Sequence, residues 1–246
     1  MTLSIVARDH NSGDFGVCGY TDIAGYGSLV PHVSLKGAVA TQAYVNVDNG
    51  IELLQLMDKG FTAKNAGNIV ISKDFNKDMR QMIAIGKRKS KFCWTGTKTL
   101  DVKSFYIGEN FIVAGNCMES KKVIEKTAKY FANNTSIEFS LRLINSVLAG
   151  HKAGGHIKKI SYQLPKSKKI ISRETKKIFG NSWSSALMIA SKNPKIWHNL
   201  RIDSHKNPIN ALKQLRVDTI KSAKKLEKFY NSSIKVKPFF IRQIVK

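Results

Sequence analysis

Gly37-Ala38-Val39-Ala40-Thr41-Gln42-Ala43-Tyr44-Val45 is the stretch on which the reading of the fold turns. The run is almost wholly apolar, where a half-exposed strand would alternate, so it reads as a buried strand. Thr41 and Gln42 interrupt it. Polar groups in a dry interior must bond internally or point into a site, and both residues are candidates to support one.

Upstream, Leu3–Ala7 is a short apolar strand that stops at the turn formers His10-Asn11-Ser12-Gly13-Asp14. A second strand, Phe15 to Thr21, makes the opening a β-hairpin, and Gly25, Gly27 and Pro31 mark irregular backbone after it. Downstream, Ile51, Leu53, Leu54 and Met57 repeat with a helical period that Gly60 ends, and Thr62 is placed to cap a second helix. Strands are expected at Gln81–Gly86, Lys91–Thr95 and Phe111–Ala114, with a basic hairpin turn at Lys87–Ser90 between the first two. Two helices follow, one lined by Val123, Ile124, Ala128 and Phe131, the other by Phe139, Leu143, Ile144 and Val147. Ser185–Ala190 and Leu200–Ile202 read as strands, and a basic amphipathic helix starts near Pro208. Strands and helices come in blocks, which argues α+β rather than a doubly wound sheet. The expected organisation is one domain over 1–216, with a basic, exposed insertion at 156–179, then a basic helix and tail over 217–246.

Composition narrows the function classes. The 246 residues are 42% apolar, enough for a sizeable core, and no apolar run approaches the roughly 18 residues of a membrane span. MTLSIVARDH has no basic leader and no long apolar segment, so a cytoplasmic location is expected. Cys18, Cys93 and Cys117 form neither a disulfide framework nor a CxxC pair and read as small buried thiols. The histidines share no ligand spacing, so neither metal nor cofactor is expected; Walker A, GxGxxG and HExxH patterns are missing as well. The net charge is +24, of which residues 101–246 hold 29 basic and 9 acidic side chains. That balance favours anionic partners such as nucleic acid, although lysines spread singly and in pairs along helices also describe a plainly solvated surface.

The ordered blocks MTLSIVARD, NSGDFGV, GSLVP and above all GAVATQAYVN resemble domain-of-unknown-function family 1028 (DUF1028), whose members are classed as Ntn (N-terminal nucleophile) hydrolase-like proteins. Trp94-Thr95-Gly96, VAGNCM at 113–118, Gly154-Gly155, SSALMI at 184–189 and LRIDSHKNPINALKQL at 200–215 follow in family order. The resemblance implies an Ntn-type four-layer αββα sandwich of two antiparallel sheets. It also implies an amidohydrolase acting on a small amide or peptide-like substrate. In that chemistry the residue exposed by processing is both nucleophile, through its side chain, and base, through its free α-amine, which titrates near 8. Thr2, directly after Met1, is the candidate.

Other residues carry a plain reading beside the functional one. Ser4 shares the face of Thr2 and either lines the pocket or is a core serine bonded to backbone. Asn116 would donate an N–H to an oxyanion, or cap a turn. Asp203 and His205 would pair across one face of an extended segment, or Asp203 would cap the following helix with His205 on the surface. Lys36 adjoins the best-matched block, where the family leads one to expect an apolar residue; some Ntn enzymes use a lysine to lower the nucleophile's pKa. The chain departs from the family at His156, where a GGD motif is expected, and at Ser182-Trp183, where an Arg-Gln pair is expected. Those departures favour a non-catalytic Ntn-fold protein that binds a small molecule or partner, and the charge leaves a nucleic-acid-associated protein as a further alternative. A homo-oligomer is left open.

Overall fold

The computed structural model describes residues 1–163, 170–175 and 183–233. Three hydrophobic clusters show how the layers stack. Leu3, Ile5 and Ala7 of strand β1 (Thr2–Arg8), with Cys18 and Tyr20 of β2 (Phe15–Thr21), pack beneath three helices: α4 (Lys122–Asn133), α5 (Phe139–Lys152) and α6 (Pro208–Ser233). Because side chains alternate along a strand, Ser4 and Val6 of β1 face the other way, and Val6 and Val17 meet a second sheet. That sheet is β3 (Pro31–Ser34), β4 (Gly37–Ala43), β5 (Arg80–Gly86) and β6 (Lys91–Thr95), in this order. Its outer face, with Val39, Met82 and Ala84, is covered by Leu53 and Met57 of α2 (Val47–Asp58) and Ala66 and Val70 of α3 (Ala63–Lys73).

The first sheet has six strands in the order β12-β11-β2-β1-β8-β7. The additional members are β7 (Ser104–Ile107), β8 (Phe111–Asn116), β11 (Trp183–Ala190) and β12 (Asn199–His205). Every pairing in both sheets is antiparallel. The architecture is therefore α+β, four layers in the order helices, sheet, sheet, helices. A short helix, α1 (Tyr26–Leu29), fills the bend between β2 and β3.

Several boundaries differ from the sequence reading for local reasons. The buried strand stops at Ala43, which takes a left-handed φ of 71°, so Tyr44 swings out to 58% exposure and Arg80 stacks on its ring at 4.8 Å. Part of the basic insertion forms an antiparallel pair, β9 (Lys159–Gln163) against β10 (Ile170–Glu174); residues 164–169 and 176–179 of it lie outside the described residues. The boundary at 217 falls inside α6, which runs on without a break from Pro208. Pro suits this first helical position because its missing N–H would have no partner there. β3 and β7 were not anticipated: β3 is only four residues long, and β7 is an edge strand with Phe105, Tyr106 and Ile107 exposed.

Candidate functional site

Thr2 begins β1 where three strands end together, opposite Thr21 of β2 and Asn116 of β8. Its hydroxyl lies 3.1 Å from that of Thr21, and Thr21 donates its own proton to the Met1 carbonyl at 2.6 Å. The Thr2 hydroxyl is thus left to donate to Thr21.

A chain of buried polar groups runs from this point between the sheets. Ser4 Oγ bonds the Tyr26 hydroxyl at 2.9 Å and donates to Gln42 Oε1 at 2.6 Å. Gln42 Nε2 donates to Gln81 Oε1 at 2.7 Å, and Asn116 Nδ2 donates to the same oxygen at 3.1 Å. Gln81 Nε2 in turn reaches Thr95 Oγ1 at 3.0 Å and the Gly115 carbonyl at 3.2 Å. Such a network, bonded along its length in a dry core, fixes each amide's orientation. Ser4 is a core serine, but its partners are side chains rather than backbone. Asn116 ends a strand instead of capping a turn, with one amide N–H occupied by Gln81.

On the other flank, the Met1 ammonium rests on Asp22 at 3.1 Å, with both side chains buried. Burial pushes the Asp22 carboxyl above the usual carboxylate range, and the ammonium beside it works in the opposite direction. Asp22 is also on the wall of a cavity of about 670 Å³, with His151, His156, Thr175, Trp183 and Lys206. Gly154 and Gly155, at φ 135° and 65°, take conformations that favour glycine and turn the chain so that His156 lies in the interior. There its ring stacks on Tyr20 at 4.4 Å and 18°, and both ring nitrogens are buried without a hydrogen-bond partner. Burial, then the nearby ammonium, holds His156 well below the ordinary histidine range, so it is neutral at pH 7. His151 Nδ1 stands 3.3 Å from the Tyr20 hydroxyl, and Trp183 meets the edge of the His151 ring.

The remaining candidates are elsewhere. Lys36 sits in the exposed β3–β4 turn, six residues before Gln42 on one strand, or about 20 Å away at the rise of an extended chain. That distance takes it out of any direct role at Thr2. Thr41 is buried but bonds the Asn46 carbonyl at 3.2 Å on the α2 side of its sheet. Asp203 does not cap α6; it accepts from Arg201 at 3.1 and 2.8 Å. His205, exposed, accepts the Asn207 N–H at 2.9 Å and so steadies the turn into α6. The two do not pair with each other. Burial raises all three thiols, Cys117 to about 11 and Cys93 to about 12, which makes each a poor nucleophile at neutral pH. Among the described residues no three His, Cys, Asp or Glu side chains gather into a metal-binding group, and no helix is long and apolar enough to cross a membrane.

The sequence reading had not singled out Asp22, Tyr26 or Gln81. Gln81 stands beside the apolar run of β5, a signal like the one Gln42 gave. His156 and Trp183 were noticed only as departures from a family pattern; the fold brings their rings to 6.4 Å. Ser182 lies outside the described residues.

Comparison with known proteins gives a consistent picture. The model of a family of unknown function, DUF1028, matches residues 2–167, more than half of the chain. A crystal structure of a Silicibacter pomeroyi protein that carries the same family model superposes with a TM-score of 0.72 and 26% identity, over 88% of this chain and 85% of that one. No curated protein matches.

Proposed function

The chain belongs to the DUF1028 family, and on that premise we propose that it is an amidohydrolase of the N-terminal-nucleophile kind, with Thr2 as nucleophile once Met1 has been removed. The observation that carries this reading is the buried ion pair of the N-terminal ammonium with Asp22, on the wall of a cavity and one residue from Thr2. With Met1 intact, the methionine side chain and Thr2 are both buried. Its removal would bare the Thr2 α-amine about 3.8 Å along the chain from the present one, still near Asp22.

In that state Thr2 Oγ1 attacks the carbonyl carbon of a small amide, and the α-amine takes the hydroxyl proton and passes it to the leaving amine. Water, deprotonated by the same amine, then attacks the ester and releases the acid. Asn116, held by Gln81 in register with Thr2, has a second amide N–H to offer the developing oxyanion. Asp22 keeps the amine in place. The cavity with neutral His156 and Trp183 takes the substrate. Homo-oligomerisation is not needed for this chemistry.

Thr2→Ser should retain turnover of a responsive amide, and Thr2→Ala should abolish it with an unchanged circular dichroism spectrum. Activity in Thr2→Ala would overturn the assignment.

A second reading rests on the same burial of Met1: a methionine that packs well inside the fold and pairs through its amine suits a non-catalytic binder that keeps it. The intact mass of the protein from cells with normal aminopeptidase separates the two. Loss of one methionine supports the hydrolase; retention supports the binder. A nucleic-acid partner has only the net charge behind it.

A further inference from the structure

At the opposite end of β1 from Thr2, six residues and roughly 20 Å along the strand, a second cleft of about 550 Å³ opens between three turns. Arg8 ends β1 and His10 follows it in the β1–β2 turn, Glu109 and Asn110 come from the β7–β8 turn, Thr135 from the link between α4 and α5, and Arg142 from the start of α5. The turns are tied together, since the Arg8 N–H donates to the Asn110 carbonyl at 2.8 Å.

The arginines are unusual in what they lack. Arg142 is 5% exposed, spends its Nε on the Phe131 carbonyl at 2.8 Å and lies 3.8 Å over the Phe131 ring. Arg8 has a buried Nε with no hydrogen-bond partner. Among the described residues no carboxylate forms an ion pair with either. Asp9 accepts from the N–H and hydroxyl of Ser12, and Glu109 pairs with Lys89, so neither carboxylate touches the two guanidinium groups. A guanidinium kept this dry with no carboxylate in direct contact costs free energy that an anionic ligand would offset. Burial lowers the Arg142 pKa, and the charge of Asp9 offsets part of that.

We propose that this cleft is a binding site for the phosphoryl group of a small phosphorylated molecule, held between Arg8 and Arg142. Two planar forks suit a dianion with three free oxygens; a single carboxylate would leave one fork unmet. The volume lies in the range that accepts a mononucleotide. Tyr106, half-exposed at the rim and stacked on Phe111 at 6.0 Å, offers a flat face for a ring attached to the phosphate. None of this depends on the hydrolase reading, since the cleft shares no residue with the Asp22 cavity.

The test is isothermal titration of the full chain at low ionic strength with inorganic phosphate, adenosine monophosphate, adenosine and acetate. Phosphate and the nucleotide should bind saturably, and Arg8→Gln and Arg142→Lys should each weaken them by about tenfold or more. Should Arg142→Lys misfold, Arg8→Gln, at a half-buried position, still decides the matter. Tighter binding of the nucleotide identifies the ring-bearing ligand, and equal binding identifies free phosphate; either upholds the site. The proposal fails if neither anion binds. It also fails if adenosine or acetate binds as well as they do, or if Arg8→Gln leaves the affinity unchanged.

Discussion

His156 shows how one buried side chain makes a pH dependence. Its pKa in the fold lies well below that of an exposed histidine, chiefly because burial penalises the charged ring. The unfolded chain therefore binds a proton that the folded chain refuses, over the interval from about 6.5 down to the folded value. Stability from this residue is complete above about 6.5 and is lost as the pH falls below it. His32, His151 and His198 are lowered by burial too and add in the same direction. Urea midpoints should fall steadily between pH 7.5 and pH 5. His156→Phe, which keeps the stacking on Tyr20, should flatten that fall; an unchanged slope would mean that His156 titrates alike in the folded and unfolded chains. At the same scale the polar chain Ser4–Gln42–Gln81–Asn116 explains why Thr41 and Gln42, neighbours in sequence, part company. Alternation sends Gln42 between the sheets and Thr41 toward α2.

Among the elements, the β5–β6 hairpin bears a visible cost. Ser90 donates to the Lys87 carbonyl at 3.1 Å, and both central residues, Arg88 and Lys89, have left-handed φ values of 55° and 58°. This is the mirror-image turn that hairpins favour for its twist, and it is best served by Asn-Gly. Two long basic side chains hold it instead. Replacing Arg88-Lys89 by Asn-Gly should stabilise the protein by roughly 1–2 kcal/mol in chemical denaturation. The Lys89–Glu109 pair lost in the exchange is exposed and offsets little of that. The same variant should bind phosphate more weakly, since the loss of Lys89 leaves the Glu109 carboxylate unpaired at the cleft.

For the molecule as a whole, the charge of +24 sets the dominant long-range term. At the end of the sandwich away from Thr2, like charges meet: the Lys87 pKa is lowered first by Lys36, then by burial and, more weakly, by Lys192 and Arg8. Like charges gathered on one surface oppose the compact state, and salt screens them over about 10 Å at 0.1 M. The melting temperature should therefore rise between low salt and about 0.15 M sodium chloride. Lys36→Glu should raise it at low salt and reduce the dependence, which differential scanning calorimetry would read. A melting temperature that falls with salt would show that attractive pairs outweigh the repulsion.

The sequence by itself determined the α+β class, the buried strand that starts at Gly37, the opening hairpin, the Thr62 cap and the helix from Pro208, because each follows from side-chain period and turn chemistry within a dozen residues. It could also point to Gln42 as a polar break in an apolar strand, to Asn116 at a strand end and, through the family resemblance, to Thr2. Only the tertiary structure decided which of them meet. Thr2, Thr21 and Asn116 come together through strand register, as do Gln42 and Gln81, Ser4 meets Gln42 through the packing of two sheets, and Asp22 meets His156 and Trp183 across more than a hundred residues of sequence. The same long-range geometry put Lys36 at the far end of its strand and joined Arg8 to Arg142. Period and propensity act between near neighbours, whereas a site is assembled by contacts whose sequence separation carries no local signal.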